Sequence, residues 1–416
     1  MKRMLLRQLL CTCLIGLCLP AAAAMSSRDK AWADWLLGQI ERHPEIAAAR
    51  EHRQRGFALG DAREQPLYNP ELATEIEREG DDDNYRIGIA QTLDIWDKRA
   101  LRRDQGGEMR SAAHWQYLLV LQRRTATILR ALANWRAARA RNRLADEQES
   151  QLEQFAALLE KRRRAGDLGS ADIELALLSL SRQLNQAAAA AAEFQSADAA
   201  LNELLPDWSP ARAPIPDTIW QLPAPPDPTQ NLDGHPRWQL ARARWAQLQQ
   251  QARLQQLQRR ADPTIGINGG RKEEHGVVAL TFSMPLNIRN NYSAEARAAD
   301  SAALGAEADY LAERRALTFA CKSAAAILSG YRERYQRWRE LAAGRGERSR
   351  ILLEKQWRSG DMNTTDYLQA LQQRREGLLA GIELERNYRL AVIDWLEQSG
   401  RIDIYLQRIA GQEEGK

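Results

Sequence analysis

Residues 161–177 read KRRRAGDLGSADIELAL, and residues 355–371 read KQWRSGDMNTTDYLQAL. Superimposed, the two stretches share Arg164 with Arg358, Gly166 with Gly360, Asp167 with Asp361, Asp172 with Asp366, Ala176 with Ala370 and Leu177 with Leu371, at an offset of 194 residues in a chain of 416. Each lies between long runs with helical periodicity. Basic residues close the incoming helix, where they suit the negative end of its dipole. Glycine supplies a left-handed cap, and a small polar run ending in an acid restarts the next helix. Both stretches therefore read as tight helical tips, and a tip written twice implies a domain written twice.

Outward from the tips the duplication continues. His43-Pro44 recurs as His235-Pro236, each opening a helical segment. Strand-like residues follow Pro70 and Pro263. The expected β-hairpins cover 71–95 and 264–287, with Tyr85, Ile87 and Ile89, then Val278, Leu280, Phe282 and Met284, at every other position. Small or polar residues fall between them, which marks strands with one apolar and one polar face. Long helices are expected over 99–163 and 292–357, tips over 164–170 and 358–364, and return helices over 170–204 and 364–398. In the long helices Leu118, Leu121, Thr125, Ile128, Leu132 and Trp135, then Leu317, Ala320, Ala324, Ile327 and Tyr331, keep the 3–4 spacing of a coiled-coil seam. In the first return helix the same spacing links Leu177, Leu180, Leu184, Ala187, Ala191 and Phe194. Prolines crowd into 206–231, where continuous helix is impossible, so this stretch reads as a linker. Repeat 1 thus covers 25–205, repeat 2 covers 232–400, and 401–416 remains as a C-terminal tail.

Residues 1–24 read as a secretory signal peptide. Lys2, Arg3 and Arg7 precede an apolar core from Leu9 to Leu19, followed by Pro20 and the small run Ala21 to Ala24. Three of the four cysteines lie in this leader, and Cys321 alone follows it, so no disulfide framework is expected. Without the leader, 56 basic residues face 55 acidic ones, a balance that argues against nucleic-acid binding. Past the leader no stretch approaches the ~20 apolar residues that a spanning helix needs. Any membrane crossing falls to strands. Strands of about ten residues match the length that crosses an outer membrane when tilted. Four of them cannot close a barrel, and lipid forbids an open edge, so several copies would have to contribute to one barrel.

Two repeats of hairpin and long helices, a signal peptide and the paired Gly-Asp tips together resemble the TolC-like outer-membrane efflux protein family, across essentially the whole mature chain. Gln91-Thr92-Leu93-Asp94-Ile95-Trp96-Asp97-Lys98-Arg99 and Met284-Pro285-Leu286-Asn287-Ile288-Arg289-Asn290-Asn291 resemble the two strand-to-helix junctions of its heavy-metal, CzcC-like branch. The resemblance implies a mainly α protein with a small β part. It implies a homotrimer whose twelve strands form one outer-membrane β-barrel, continued by a periplasmic α-helical barrel. It further implies docking onto a periplasmic adaptor (membrane-fusion) protein and an inner-membrane pump of RND type, and passive conduction of cargo, metal cations included. Asp366 corresponds to the aspartate of the periplasmic constriction, and Asp172 is its counterpart in the first repeat. Gly166, Asp167 and Leu168, with Gly360, Asp361 and Met362, correspond to the adaptor-contact tips. Two departures stand out: Gln369 occupies the place of a second acid, and Met362 that of a basic gate residue.

Each of these residues also has a plainer explanation. Asp172 and Asp366 suit the first turn of any helix, and the glycines suit any tight turn. The five histidines are scattered without the spacing of a metal site. Neither a phosphate-binding GxxxxGK[ST] loop nor a nucleophile–base pair occurs, so neither a cofactor nor catalysis is expected. The competing reading is a soluble periplasmic coiled-coil scaffold that binds an adaptor without forming a channel.

Overall fold

The computed structural model describes residues 27–79, 82–164, 170–222, 232–342 and 345–411. The expected signal peptide lies outside the described residues, as do most of the first tip and residues 223–231 of the Pro-rich linker. The chain opens with α1 (Ser27–Arg42) and α2 (Pro44–Glu64), then β1 (Glu71–Glu79), β2 (Asp82–Thr92), α3 (Lys98–Arg164) and α4 (Ser170–Leu204). The order helix, hairpin, long helix, return helix then recurs as α5 (Pro236–Gln258), β3 (Thr264–Lys272), β4 (His275–Ser283), α6 (Ser293–Ala342), α7 (Arg345–Arg358) and α8 (Thr364–Gln398), and α9 (Ile402–Ala410) follows. At 67 residues, α3 is about 100 Å long, so a single helix carries the chain from the sheet to the tip.

His43 and His235 start α2 and α5 in the same way. Each Nδ1 accepts the backbone N–H two residues on, at 3.2 Å from Glu45 and 3.1 Å from Arg237, and proline fills the first helical position. His235 is buried against Gly400, whose left-handed φ of +68° leaves the ring room: a Cβ there would sit 2.9 Å from it. Burial, then Arg237, pushes the His235 imidazole down to about 4. Its folded value thus lies below the unfolded one, so stability is lost as pH falls from about 6.5 towards about 4. Asp403, pushed up to about 7 by burial, contributes the opposite slope. The expected result is that His235→Asn, which keeps a capping side chain, melts with a shallower acid-side decline than the wild type when thermal scans are compared across that window.

The main core sits halfway along the long helices. Trp32, Leu36 and Ile40 of α1 meet Ile128, Leu129 and Leu132 of α3, Val392, Ile393 and Leu396 of α8, and Ile402, Leu406 and Ile409 of α9. Each such side chain contributes about 1.5–3 kcal/mol on burial. Two sequence expectations change here. Residues 402–410 are helix rather than tail, because their apolar positions recur at helical spacing and close the base of this core. The described part of the linker is also built in. Trp208, Ile219 and Trp220 are buried, and the Tyr388 hydroxyl donates to the Trp220 carbonyl at 2.8 Å.

The helical seams shift by a residue or so. In α6 the buried row is Leu317, Cys321, Ala324 and Leu328, leaving Ile327 51% exposed. In α4 it is Ile173, Ala176, Gln183 and Ala187, leaving Leu177 and Leu184 exposed. Both stretches carry two adjacent apolar rows, and helix packing within one chain covers only one of them. The long helix expected over 292–357 is described as α6 and α7, residues 343–344 lying outside the described residues.

Candidate functional site

The four strands form one antiparallel sheet in the order β1-β2-β3-β4, with β2 and β3 joining the hairpins. Register places Leu72, Ile89, Ile267 and Leu280 in one row across all four strands. Ile76, Tyr85, Ile87, Ile265, Val278 and Phe282 share that face, and all are exposed, with Ile76 at 85% and Leu280 at 80%. The opposite face carries Glu71, Ala73, Glu75 and Glu77 of β1, Arg86, Gly88 and Ala90 of β2, Asn268 of β3, and Ala279 and Thr281 of β4. Glu75 and Arg86 pair across it at 3.2 Å. The β1 glutamates therefore point away from the apolar face. Arg78 falls on that face only beside the turn, 3.5 Å from Asp83. Among the described residues the outer edges of β1 and β4 have no partner strand.

Below the sheet, the junctions form a latch between the two halves. Asp94 caps α3, its carboxylate accepting the N–H of Lys98 at 2.9 Å and of Arg99 at 2.7 Å. The Trp96 indole donates to the Ala261 carbonyl at 2.9 Å, and the Arg260 guanidinium lies over its ring. Asp262 Oδ2 then accepts from Lys98 Nζ at 2.8 Å and from the Tyr68 hydroxyl at 2.7 Å. The ion pair is nearly sealed, with side chains 6% and 2% exposed. Burial first, then Asp262, pushes the Tyr68 phenol up to about 12, so it remains a donor at physiological pH. In the second junction Asn287 donates to the Arg259 carbonyl at 2.9 Å, while Asn290 and Asn291 accept the N–H groups of Tyr292 and Ser293. Both junction motifs are thus occupied in turning the chain from strand to helix.

At the far end a second, smaller core ties the tips together. Phe155 and Leu159 of α3 and Ile173 of α4 pack with Trp357 of α7 and Tyr367 of α8. Phe155 meets Trp357 edge-on at 4.7 Å, and the Arg162 guanidinium lies 4.7 Å above the Trp357 ring. Ile173 and Tyr367 directly follow Asp172 and Asp366, so both aspartates border this core. Asp366 is exposed and forms a reciprocal cap with Asn363: its N–H donates to Asn363 Oδ1 at 2.7 Å, and its carboxylate accepts from Asn363 Nδ2 at 2.9 Å. Asp172 is half-buried in the first turn of α4. Gly360, at φ +82°, ends α7, and the Asp361 carboxylate accepts the Ser359 hydroxyl at 2.7 Å. Met362 is half-buried on the tip core. Gly166, Asp167 and Leu168 lie outside the described residues.

Tyr68, Asp262 and Arg162 escaped sequence reading. Each acts on a partner from the other half of the chain, and nothing local marks them. Among the described residues no helix is long and apolar enough to cross a membrane, and no group of three or more His, Cys, Asp or Glu side chains is placed to hold a metal.

No protein-family model and no curated protein matches the chain. Solved structures do. A membrane protein from Pseudomonas aeruginosa superimposes with a TM-score of 0.73 at 16% identity, over 90% of this chain and 94% of that one. The CmeC outer membrane channel of Campylobacter jejuni follows at 0.71 and 11%, over 93% and 90%. The outer membrane protein VceC of Vibrio cholerae follows at 0.70 and 15%, over 89% and 96%. At such identities the likeness is one of fold alone.

Proposed function

We propose that the protein is the outer-membrane exit duct of a tripartite efflux system. The sheet carries this reading: strands of nine to eleven residues, one continuous apolar face exposed, one polar face, and two unpaired edges. Such a sheet satisfies its edges in lipid only by pairing with further copies. Three copies would give a twelve-stranded barrel, its lumen lined by the face bearing Glu71, Glu75 and Glu77. The long helices would continue as a twelve-helix periplasmic tube, in which the apolar rows left exposed on α4 and α6 meet neighbouring copies. The tips around Gly166, Asp167, Leu168, Gly360, Asp361 and Met362 would dock a periplasmic adaptor carried by an RND-type inner-membrane pump, and the pump would supply the energy.

Asp366 and Asp172 bordering the tip core would place rings of carboxylates at the periplasmic constriction, where a narrow mouth favours cations. The heavy-metal assignment rests on the junction motifs and this cation preference. Asp366→Asn is expected to reduce cation over anion preference in single-channel recordings of purified protein in planar bilayers while leaving assembly intact. Unchanged selectivity would reduce Asp366 to its capping role. The duct itself is tested by fractionation followed by bilayer recording. Recovery of the exported protein in the soluble fraction without detergent, with no conductance, would replace it with the scaffold reading.

A further inference from the structure

Between α3, α4 and α8, above the tip core, lies a partly open cavity of about 40 Å³, with Arg182 on its exposed side. Arg182, Arg374 and Arg375 line it together with Gln148, Gln183 and Gln186, and no carboxylate does. The volume suits one or two small species, since a single water needs roughly 10–15 Å³. Gln148 is only 7% exposed, yet neither its carboxamide oxygen nor its nitrogen has a hydrogen-bond partner among the described residues. A polar group buried in that state is costly unless something in the cavity satisfies it.

The charges around it are equally unbalanced. Arg182 donates to Gln372 at 2.8 Å, Arg375 donates to Gln186, and Arg374 Nε donates to the Gly346 carbonyl at 2.9 Å. All three acceptors are neutral. Glu147 and Glu347 act on Arg374 from a distance and Glu376 acts on Arg375, but none forms an ion pair with them. Burial lowers the guanidinium pKa of both Arg374 and Arg375, and Arg182 lowers that of Arg375 further. Like charges are thus gathered where α4, from the first half of the chain, meets α8, from the second.

We propose that this cavity binds a small monovalent anion, chloride in the physiological case, held between the guanidinium groups of Arg182 and Arg375 and the carboxamide N–H of Gln148. The anion offsets the repulsion between the helices and ties the two halves together just above the tip. Every lining residue belongs to one chain, so the site does not rest on the channel reading and can fail or stand separately from it.

The experiment uses the full chain in detergent. Replacing sodium gluconate by sodium chloride at constant ionic strength is expected to raise the melting temperature by a few degrees. Arg375→Gln should abolish that rise, and Arg375→Lys should retain part of it. Crystals grown in sodium bromide should show an anomalous peak among Arg182, Arg375 and Gln148. If Arg375→Gln does not fold, Gln148→Met serves in its place, with the same expected loss of chloride response. Water alone in the cavity, a melting temperature indifferent to chloride, or an undiminished response in the variants would each overturn the proposal.

Discussion

Asp262→Ala is expected to destabilise the protein by about 3–5 kcal/mol, the usual cost of stripping one partner from a buried ion pair. Lys98, its side chain 6% exposed, would keep only the Arg260 carbonyl as a partner for Nζ among the described residues, and the Tyr68 hydroxyl would lose its acceptor. The damage should concentrate where the sheet joins the helices, because Asp262 on the second half holds Tyr68 and Lys98 on the first. The paired replacement Lys98→Met with Asp262→Leu removes both charges and should recover most of the loss. Denaturant melts of the single and double variants measure this directly. Equal destabilisation in both would mean that the pair's hydrogen bonds, rather than an orphaned charge, set the cost.

The second large effect concerns the exposed apolar face. Leu280→Arg puts a guanidinium at the β4 end of the row formed by Leu72, Ile89, Ile267 and Leu280, midway along its strand. In a lipid-facing strand that costs about 2–4 kcal/mol near the bilayer midplane. Ala279→Arg, one residue away, turns the same group to the polar face and should be tolerated. The prediction is loss of membrane-inserted protein for Leu280→Arg and near-normal insertion for Ala279→Arg, scored by fractionation and protease protection. Equal behaviour of the two variants would mean that neither face meets lipid.

The parts of the fold legible from sequence were those written in local chemistry. Alternation along 85–89 and 278–282 marks the strand faces, and histidine followed by proline marks two helix starts. The residue types that closed each half also stood out: glycine at 360 takes a positive φ there, as a tight tip requires. What escaped depends on the three-dimensional meeting of distant segments. The periodicity of α4 and α6 offers two apolar rows apiece, and only packing reveals that Leu328 is buried while Ile327 is not. Asp262 looks like any acid before a proline until Lys98 and Tyr68 converge on it. The helix at 402–410 had a readable pattern, Ile402, Leu406 and Ile409, but its position near the chain end disguised it. Asp366 was readable as a helix-start acid. Its partnership with Asn363 now gives that role a geometry, and the constriction role depends on how copies assemble.

The bare margins of β1 and β4 have a genetic corollary. If those margins are covered by sister copies, as proposed, the polypeptide cannot fail privately. A variant that folds its helices yet cannot pair along one strand would be drawn into mixed rings and spoil intact sisters within them. Alleles damaging that margin should therefore behave as dominant when expressed beside the normal gene, whereas alleles that prevent folding altogether should be recessive.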